Sequence, residues 1–409
     1  MNTKNNGRVP KLRFKEFSSE WEEKKLGEIS SKVNKKNKDN LIKNVLTNSA
    51  EFGVVSQQRF FDKKIANSNN INSYYISNPN SYIYNPRVSK YAKFGPISRN
   101  KLNKPGIVSP LYYVFNTQNN DLYFLDNYFY SSNWHSFVYK NGNSGARSDR
   151  ISIKDSDLKR LPIKLPNIQE QTKIGEYFSK LDKLIEAQEQ KVEQLKQLKR
   201  GYLQKMFPQK GAVVPRLRFR GFSGEWEEIC FNDIFKEKNH MHVESIDYPL
   251  MSFVQKLGVI PKSDRYDRKA LVKNMDKKYK ITNYDDFIYS SNNFLSGSIG
   301  INRTGNAVIS PVYSIFKIKN NFNVYYIYAM SSLKLFLYKM SKFKQGVTYG
   351  QFKIKEKDFL KIKMCISDIK EQEKIGKMFF KLDKLIELQQ QKLSKLQQLK
   401  KGYLQKMFC

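Results

Sequence analysis

Few side chains in this sequence stand at spacings that support catalysis. Asn85 and Pro86 open the [ND]PP[YF] pattern, in which a polar side chain accepts a hydrogen bond from an amine about to be methylated. Arg87 and Val88 break the pattern, and no glycine-rich cofactor turn accompanies it. No GxxxxGK[ST] cradle for nucleotide phosphates is present. Asp264, Asp267 and Lys269 faintly resemble a nuclease carboxylate–lysine set at the wrong spacing, and read better as a solvated charged loop. His240 and His242 could both reach a metal ion, but no cysteine or third histidine lies near, so a surface pair is the stronger reading. Cys230, Cys365 and Cys409 form no redox or metal motif, and Cys365 sits in an apolar run that reads as core.

What remains is charge. The chain carries 73 Lys and Arg against 38 Asp and Glu, a formal net charge of +35. Such an excess repels itself in a compact chain and calls for a polyanionic partner: DNA, RNA or an anionic membrane. The membrane is the weakest of the three. The opening MNTKNNGRVPK has no apolar stretch, and no run approaches the roughly 18 apolar residues of a spanning helix. At 409 residues two or more domains are expected, and 40% hydrophobic content can pack their cores. Three cysteines without a motif fit a reducing cytoplasm, and the failed catalytic patterns fit a non-catalytic chain.

The elements that carry this charge are written twice. Residues 168–207 and 369–408 agree at about 28 of 40 positions, at an offset of 201. A second pair opens the halves, VPKLRFKEFSSEWEEKKLGEI at 9–29 and VPRLRFRGFSGEWEEICFNDI at 214–234. The segments between, 31–150 and 236–350, diverge but keep a skeleton. YYISNPNSYIYNP at 74–86 matches YKITNYDDFIYSS at 279–291, and GIVSPLYYVF at 106–115 matches AVISPVYSIF at 307–316. One architecture with two different surfaces is what two related but distinct recognition tasks require.

The repeated ends read as helices. Asn167 with Glu170, and Asp368 with Glu371, give an N-cap followed by an acid three residues on. Ile174, Phe178, Leu181, Ile185, Val192, Leu195, Tyr202 and Met206 then form a heptad seam, repeated as Ile375, Phe379, Leu382, Ile386, Leu393, Leu396, Tyr403 and Met407. Each helix would run roughly 37 residues, on the order of 55 Å. Two such similar helices most simply pair antiparallel about a pseudo-two-fold axis. Gln188 and Gln389, with Lys199 and Lys400, fall on the seam, where they either fix register or lie at its watery edge. The divergent segments read as mixed α/β. Ile107 with Val108, 112–115, Ile309, 312–318 and 323–328 have strand composition, and the asparagine-rich 67–72 and 78–80 read as loops.

Together these features resemble the specificity subunit of type I restriction–modification enzymes. The carriers are the EQxKIG opening of each helix (170–175 and 371–376), the KLDKLIE core, the GYLQKMF close, the P-[KR]-LRF start of each half with its tryptophan, and the Ser-Pro-x-Tyr elements at 109–112 and 310–313. The resemblance covers nearly the whole chain from Pro10 onward. It implies two α/β (mixed α+β) target recognition domains, at 1–165 and 209–366, joined by antiparallel coiled-coil spacer helices at 166–208 and 367–409. Each domain would read one half of a bipartite DNA target, with the helices setting the unread gap. Two DNA-adenine methyltransferase subunits, and up to two ATP-dependent translocase–endonuclease subunits, would bind and would hold the S-adenosylmethionine, ATP and Mg; this chain would hold none.

Affinity for duplex DNA would come from Lys and Arg on phosphates, and sequence from a few loop side chains at base edges. Two glycine-containing basic stretches occupy equivalent places: 140–150, with Lys140, Arg147 and Arg150, and 342–351, with Lys342, Lys344, Gln345, Thr348, Tyr349 and Gln351. Arg87, Lys90 and Arg99, and in the second half Asn292, Asn293 and Arg303, are further candidates. The Ser-Pro-x-Tyr elements have apolar neighbours and favour packing over presentation of polar groups to a groove. Trp21 and Trp226 read as anchors rather than stacking platforms. If the halves are two-fold related, the segments 10–21 and 215–226 are joints, each packed near the other half's helix end. The competing reading is a coiled-coil scaffold that binds DNA without sequence preference, which explains the charge but not two divergent modules on one skeleton.

Overall fold

The structure, a computed structural model, describes residues 7–60, 71–143, 149–254, 258–261, 277–290, 298–346 and 352–409. They form two compact units, Met1–Glu189 with Lys392–Cys409, and Gln190–Gln391. The units therefore do not follow the linear order of the chain. Asp264, Asp267 and Lys269 lie outside the described residues.

In the first unit a four-stranded antiparallel sheet runs in the order Ser30–Lys32, Tyr113–Thr117, Tyr82–Tyr84, Ile97–Arg99. The second unit has the same order with Phe235–Lys238, Tyr313–Ile318, Phe287–Ser290 and Ile299–Ile301. The strands Tyr82–Tyr84 and Phe287–Ser290 are buried at every position instead of alternating. Both sheet faces are covered. One side chain set, Tyr82, Tyr84 and Phe115, packs with Phe124, Tyr128 and Trp134 of the helical layer. The other, Ile83 and Val114, packs with Leu46 and Val54 of the hairpin Leu46–Ser49/Gly53–Ser56. In the second unit Ile288 and Ile315 meet Phe253 and Val259 in the same way.

Two expected elements differ. Residues 323–328, with strand composition, form the start of the helix Val324–Ser331, because Asn323 caps it by accepting from the Tyr326 N–H at 3.0 Å. Strand propensity is a weak preference that a good N-cap and burial overturn. Lys140 belongs to the helix His135–Asn141 and not to a loop. Gly142 then lets the chain turn tightly, since a Cβ there would stand 2.5 Å from Ile151 and 2.7 Å from the Val138 carbonyl oxygen.

The long helices span Ile168–Met206 and Ile369–Lys406, at 39 and 38 residues. Asn167 and Asp368 cap them, accepting from the Glu170 and Glu371 N–H groups at 2.9 and 3.1 Å. The two glutamate side chains do not close a capping box. Glu170 instead takes a bidentate pair from Arg13 at 2.7 and 2.6 Å, and Glu371 one from Arg218 at 2.9 and 2.7 Å. The rest of the EQxKIG signature is equally structural. Gln171 accepts from the Asp121 N–H at 3.1 Å and donates to the Pro166 oxygen at 2.9 Å; Gln372 does the same with Asn323 and Ser367 at 3.0 and 2.7 Å. Gly175 leaves room for the helix cap Asp121, whose Oδ1 would lie 2.2 Å from an added Cβ. Gly376 does so for Asn323 at the same 2.2 Å.

The opening segments are joints. In the first unit Leu12 donates its N–H to the Lys406 oxygen at 2.8 Å, and Trp21 meets Phe408 edge-on at 6.3 Å. In the second, Leu217 donates to the Lys205 oxygen at 2.8 Å and Trp226 meets Phe207 at 5.9 Å. Each opening strand, Glu22–Lys25 or Glu227–Cys230, pairs with the strand just before a long helix, Pro162–Leu165 or Lys363–Ile366.

Within the first unit, Ile174 and Phe178 of one helix share a core with Leu404 and Met407 of the other, and Leu181 is buried. Within the second, Ile375 and Phe379 share one with Leu203 and Met206. Ile185, Leu195, Leu393 and Leu396 are half-buried, and Val192, Leu382 and Ile386 are buried. At the closing turns Leu203, Phe207, Leu404 and Phe408 are more deeply buried than Tyr202 and Tyr403. The seam lysines face carboxylates: Lys199 pairs with Asp383 at 2.5 Å, and Lys400 with Asp182 at 2.6 Å. Gln188 is buried and Gln389 half-buried.

The same substitution should have opposite effects along one helix. Gly175→Ala must displace a cap and is expected to destabilise the first unit by about 2 kcal/mol. Gly201, where a Cβ would meet nothing within 4 Å, should tolerate alanine with a gain of up to about 1 kcal/mol. Thermal melts of the two variants check the sign of each.

Candidate nucleic-acid interface

The described recognition candidates lie on several elements: strands and their ends, helix ends and short bridged loops. In the first unit Arg87 and Arg150, distant in sequence, form an antiparallel bridge. Val88 donates to the Asp149 oxygen and Ile151 to the Pro86 oxygen, each at 2.9 Å. Both guanidiniums lie near the Asp149 carboxylate, Arg87 at 3.7 Å and Arg150 at 3.9 Å. Two cations around one anion leave a net positive charge on side chains that are 63% and 35% exposed. Lys90 lies nearby in the chain, its ammonium 4.6 Å from the Tyr91 ring centroid. The helix bearing exposed Lys140 leads into Asn143, which bridges Ser152. Arg147 lies outside the described residues.

The equivalent stretch of the second unit is also closed by an antiparallel pairing, Gln345–Gly346 with Phe352–Lys353. Lys342 is exposed, with its ammonium 5.1 Å from the Tyr338 ring. Lys344 is half-buried, and Gln345 donates to Asp358 at 3.0 Å. Thr348, Tyr349 and Gln351 lie outside the described residues, as do Asn292 and Asn293.

Arg99 is a correction. It is 8% exposed and makes a bidentate pair with Asp126 at 3.0 and 2.8 Å, with a third bond to Asn80 Oδ1 at 2.7 Å. Buried and bonded through all three nitrogens, it ties the sheet edge to the helix Leu122–Tyr130 and is not the exposed arginine that the sequence suggests. Burial, and then the charge of Asp126, push the neighbouring Tyr82 phenol well above its usual range, so it stays a neutral donor to that carboxylate. Arg303 also departs from an exposed base reader. Its guanidinium carbon lies 4.2 Å from the Tyr325 ring centroid and 5.1 Å from that of Phe380 on the second long helix. Its Nε is buried with no hydrogen-bond partner.

Two features escaped the sequence. Lys210 approaches the same Tyr338 ring as Lys342, at 5.4 Å, placing two cations on one exposed aromatic. A cleft of about 780 Å³ is lined by Asn44, Phe52, Leu102, Asn103 and Lys104 between the first unit's hairpin and a neighbouring loop. Both join residues far apart in the chain, and no local pattern marks them.

The enzymatic readings find no support in the geometry. Both ends of the Asn85 amide are committed, donating to the Asn48 oxygen at 2.9 Å and accepting from the Arg87 N–H at 3.0 Å. Among the described residues no group of three His, Cys, Asp or Glu is placed to hold a metal ion. His242 is within 2.6 Å of the Val243 oxygen. Cys365 is half-buried on the strand Lys363–Ile366. No described helix is long and apolar enough to cross a membrane.

A family model described as the type I restriction modification DNA specificity domain matches residues 18–197 and again 224–398. The crystal structure of the type I restriction-modification S subunit from M. genitalium is similar in fold, with a TM-score of 0.61 and 17% identity over 98% of this chain and 99% of that one. A structure described as the basis of complex assembly and conformational transition of the type I R-M system gives 0.51 and 13%, over 95% and 97%.

Arg87→Ala and Arg150→Ala are each expected to weaken duplex binding and to lower its salt slope by about 1, without lowering the melting temperature. Arg99→Ala should instead cost about 3 kcal/mol of stability, because it leaves the largely buried Asp126 with only the exposed Lys101 as counter-charge among the described residues. Salt-titrated binding isotherms beside thermal melts separate the two outcomes.

Proposed function

The chain belongs to the type I restriction–modification DNA specificity family, a non-catalytic recognition subunit, and from that premise we propose how its two halves divide the work. Each half reads one part of a bipartite, asymmetric DNA sequence. The target recognition domains are 1–165 and 209–366, and the spacer helices are 166–208 and 367–409. The helices pair as an antiparallel coiled coil about a pseudo-two-fold axis and set the unread gap. The observation that carries this reading is one sheet order built twice, with different side chains in the equivalent basic stretches: Lys140 and Arg150 in one half, Lys342 and Gln345 in the other.

Two DNA-adenine methyltransferase subunits dock, one per half, and up to two ATP-dependent translocase–endonuclease subunits join them in the cytoplasm. S-adenosylmethionine, ATP and Mg belong to those partners. Direct readout needs polar groups at base edges, and phosphate contacts supply the affinity. A scaffold without sequence preference has no use for two divergent stretches on one frame.

The deciding measurement is a genome-wide map of N6-methyladenine with the gene intact and deleted. Loss of modification at one motif, two short halves around a fixed gap, is expected on deletion. An unchanged map in cells expressing the partner methyltransferase would overturn the reading.

A further inference from the structure

The Ser-Pro-x-Tyr element has one feature that the fold does not require. Its serine and tyrosine are structural. Tyr112 and Tyr313 close the turn by donating their N–H groups to the Ser109 and Ser310 oxygens at 3.0 and 3.2 Å. The Tyr112 hydroxyl lies 3.2 Å from Thr47 Oγ1, and the Tyr313 hydroxyl donates to the Phe253 oxygen at 3.3 Å. Each ring thereby ties the turn to the first strand of its unit's hairpin. The proline presets the second turn position. The third position, Leu111 or Val312, packs against little: each is 59% exposed. Pro110 and Pro311 are exposed beside them.

The two tips are equivalent by register as well as by sequence. Val45 bridges Ile107 in parallel, and Leu250 bridges Val308; each tip lies four residues beyond the second member of its pair. A lone exposed apolar side chain is ordinary. A rigid apolar tip kept at the same place in two otherwise divergent segments is not, because a β-turn imposes no apolar side chain at that position.

Surfaces that read two different half-sites must differ between the halves. A surface common to both must meet something common to both. The local charge indicates that this is not the polyanion. Between Lys104 and Lys140 the sequence has no Lys or Arg, nor between Arg303 and Lys317, in a chain holding 73 of them. The cations that contacts place beside the tips are already engaged: Lys280 donates to the Tyr313 oxygen at 3.0 Å and lies 3.9 Å from Glu356, and Lys32, 5.5 Å from the Tyr113 ring centroid, pairs with Asp155.

We propose that Leu111 and Val312 are matching anchor points for the protein subunit that binds once per half, the methyltransferase, holding it on the recognition unit itself. This rests on the specificity reading given above. A stiff turn fixed to the sheet loses little freedom on binding, which suits an anchor that must place a reacting group over the bases its own unit reads.

The test uses the full chain carrying Leu111→Asp, Val312→Asp or both, assembled with the methyltransferase subunit and weighed by native mass spectrometry. Each single variant is expected to weaken one of the two copies by about tenfold or more, and the double variant both. The melting temperature, and the full chain's own affinity for its target duplex, should not change. Retention of both copies at wild-type affinity by the double variant overturns the proposal. So does a fall in duplex affinity, which would put the turn on the DNA. Failure of the specificity reading itself shows differently, as a wild-type complex that modifies no bipartite motif.

Discussion

Glu170 and Glu371 are fully buried carboxylates, each neutralised by a guanidinium that reaches over from the segment opening its half. A carboxylate without water or a counter-charge is untenable in a protein interior, and removing one partner of such a pair leaves the other charge exposed to the full desolvation penalty, about 3–5 kcal/mol. The arginine therefore has to arrive, and its arrival positions much else. It brings in the tryptophan, the strand that pairs just ahead of the long helix, and the backbone bond to the closing turn of a helix. The caps Asp121 and Asn323 then seat against Gly175 and Gly376, so the helical layer over each sheet is docked by the same few residues.

The two copies of this joint are not identical. Trp226 donates its indole N–H to Glu371 at 3.1 Å, whereas the Trp21 indole nitrogen is buried with no hydrogen-bond partner. An unmet buried donor costs about 1–3 kcal/mol, so the first joint carries a penalty that the second avoids. The frames diverge similarly at the sheet edge. Arg99, opposite Tyr82, is replaced by Ile301 opposite Phe287. A buried ion pair in one unit stands where the other has an apolar contact, and the strand order survives the exchange.

The joints were legible in the sequence because their residues recur in blocks, and periodicity gave the helices to within a residue or two. Equivalent placement of the basic stretches 140–150 and 342–351 was legible too, since both are closed by short antiparallel pairings. The limits have physical causes. The segment 323–328 has strand composition, but a capping asparagine and burial on all sides turned it into helix. Arg99 looks like any exposed arginine until the fold brings Asp126 and Asn80 around it. The neighbourhoods of Arg87 with Arg150, and of Lys210 with Lys342, depend on long-range closure that no local window contains.

The division of the chain into Gln190–Gln391 and its complement has a consequence for synthesis. The second unit is one uninterrupted stretch and has all its core residues once that stretch has left the ribosome. The first unit lacks Leu404, Met407 and Phe408 from its core until residues 392–409 have been made. Domains usually mature in the order of translation; here the earlier-made half must wait, its aromatic floor uncovered, for the last segment of its partner's helix. A premature stop near residue 390 would thus spare the later half and leave the earlier one unfinished.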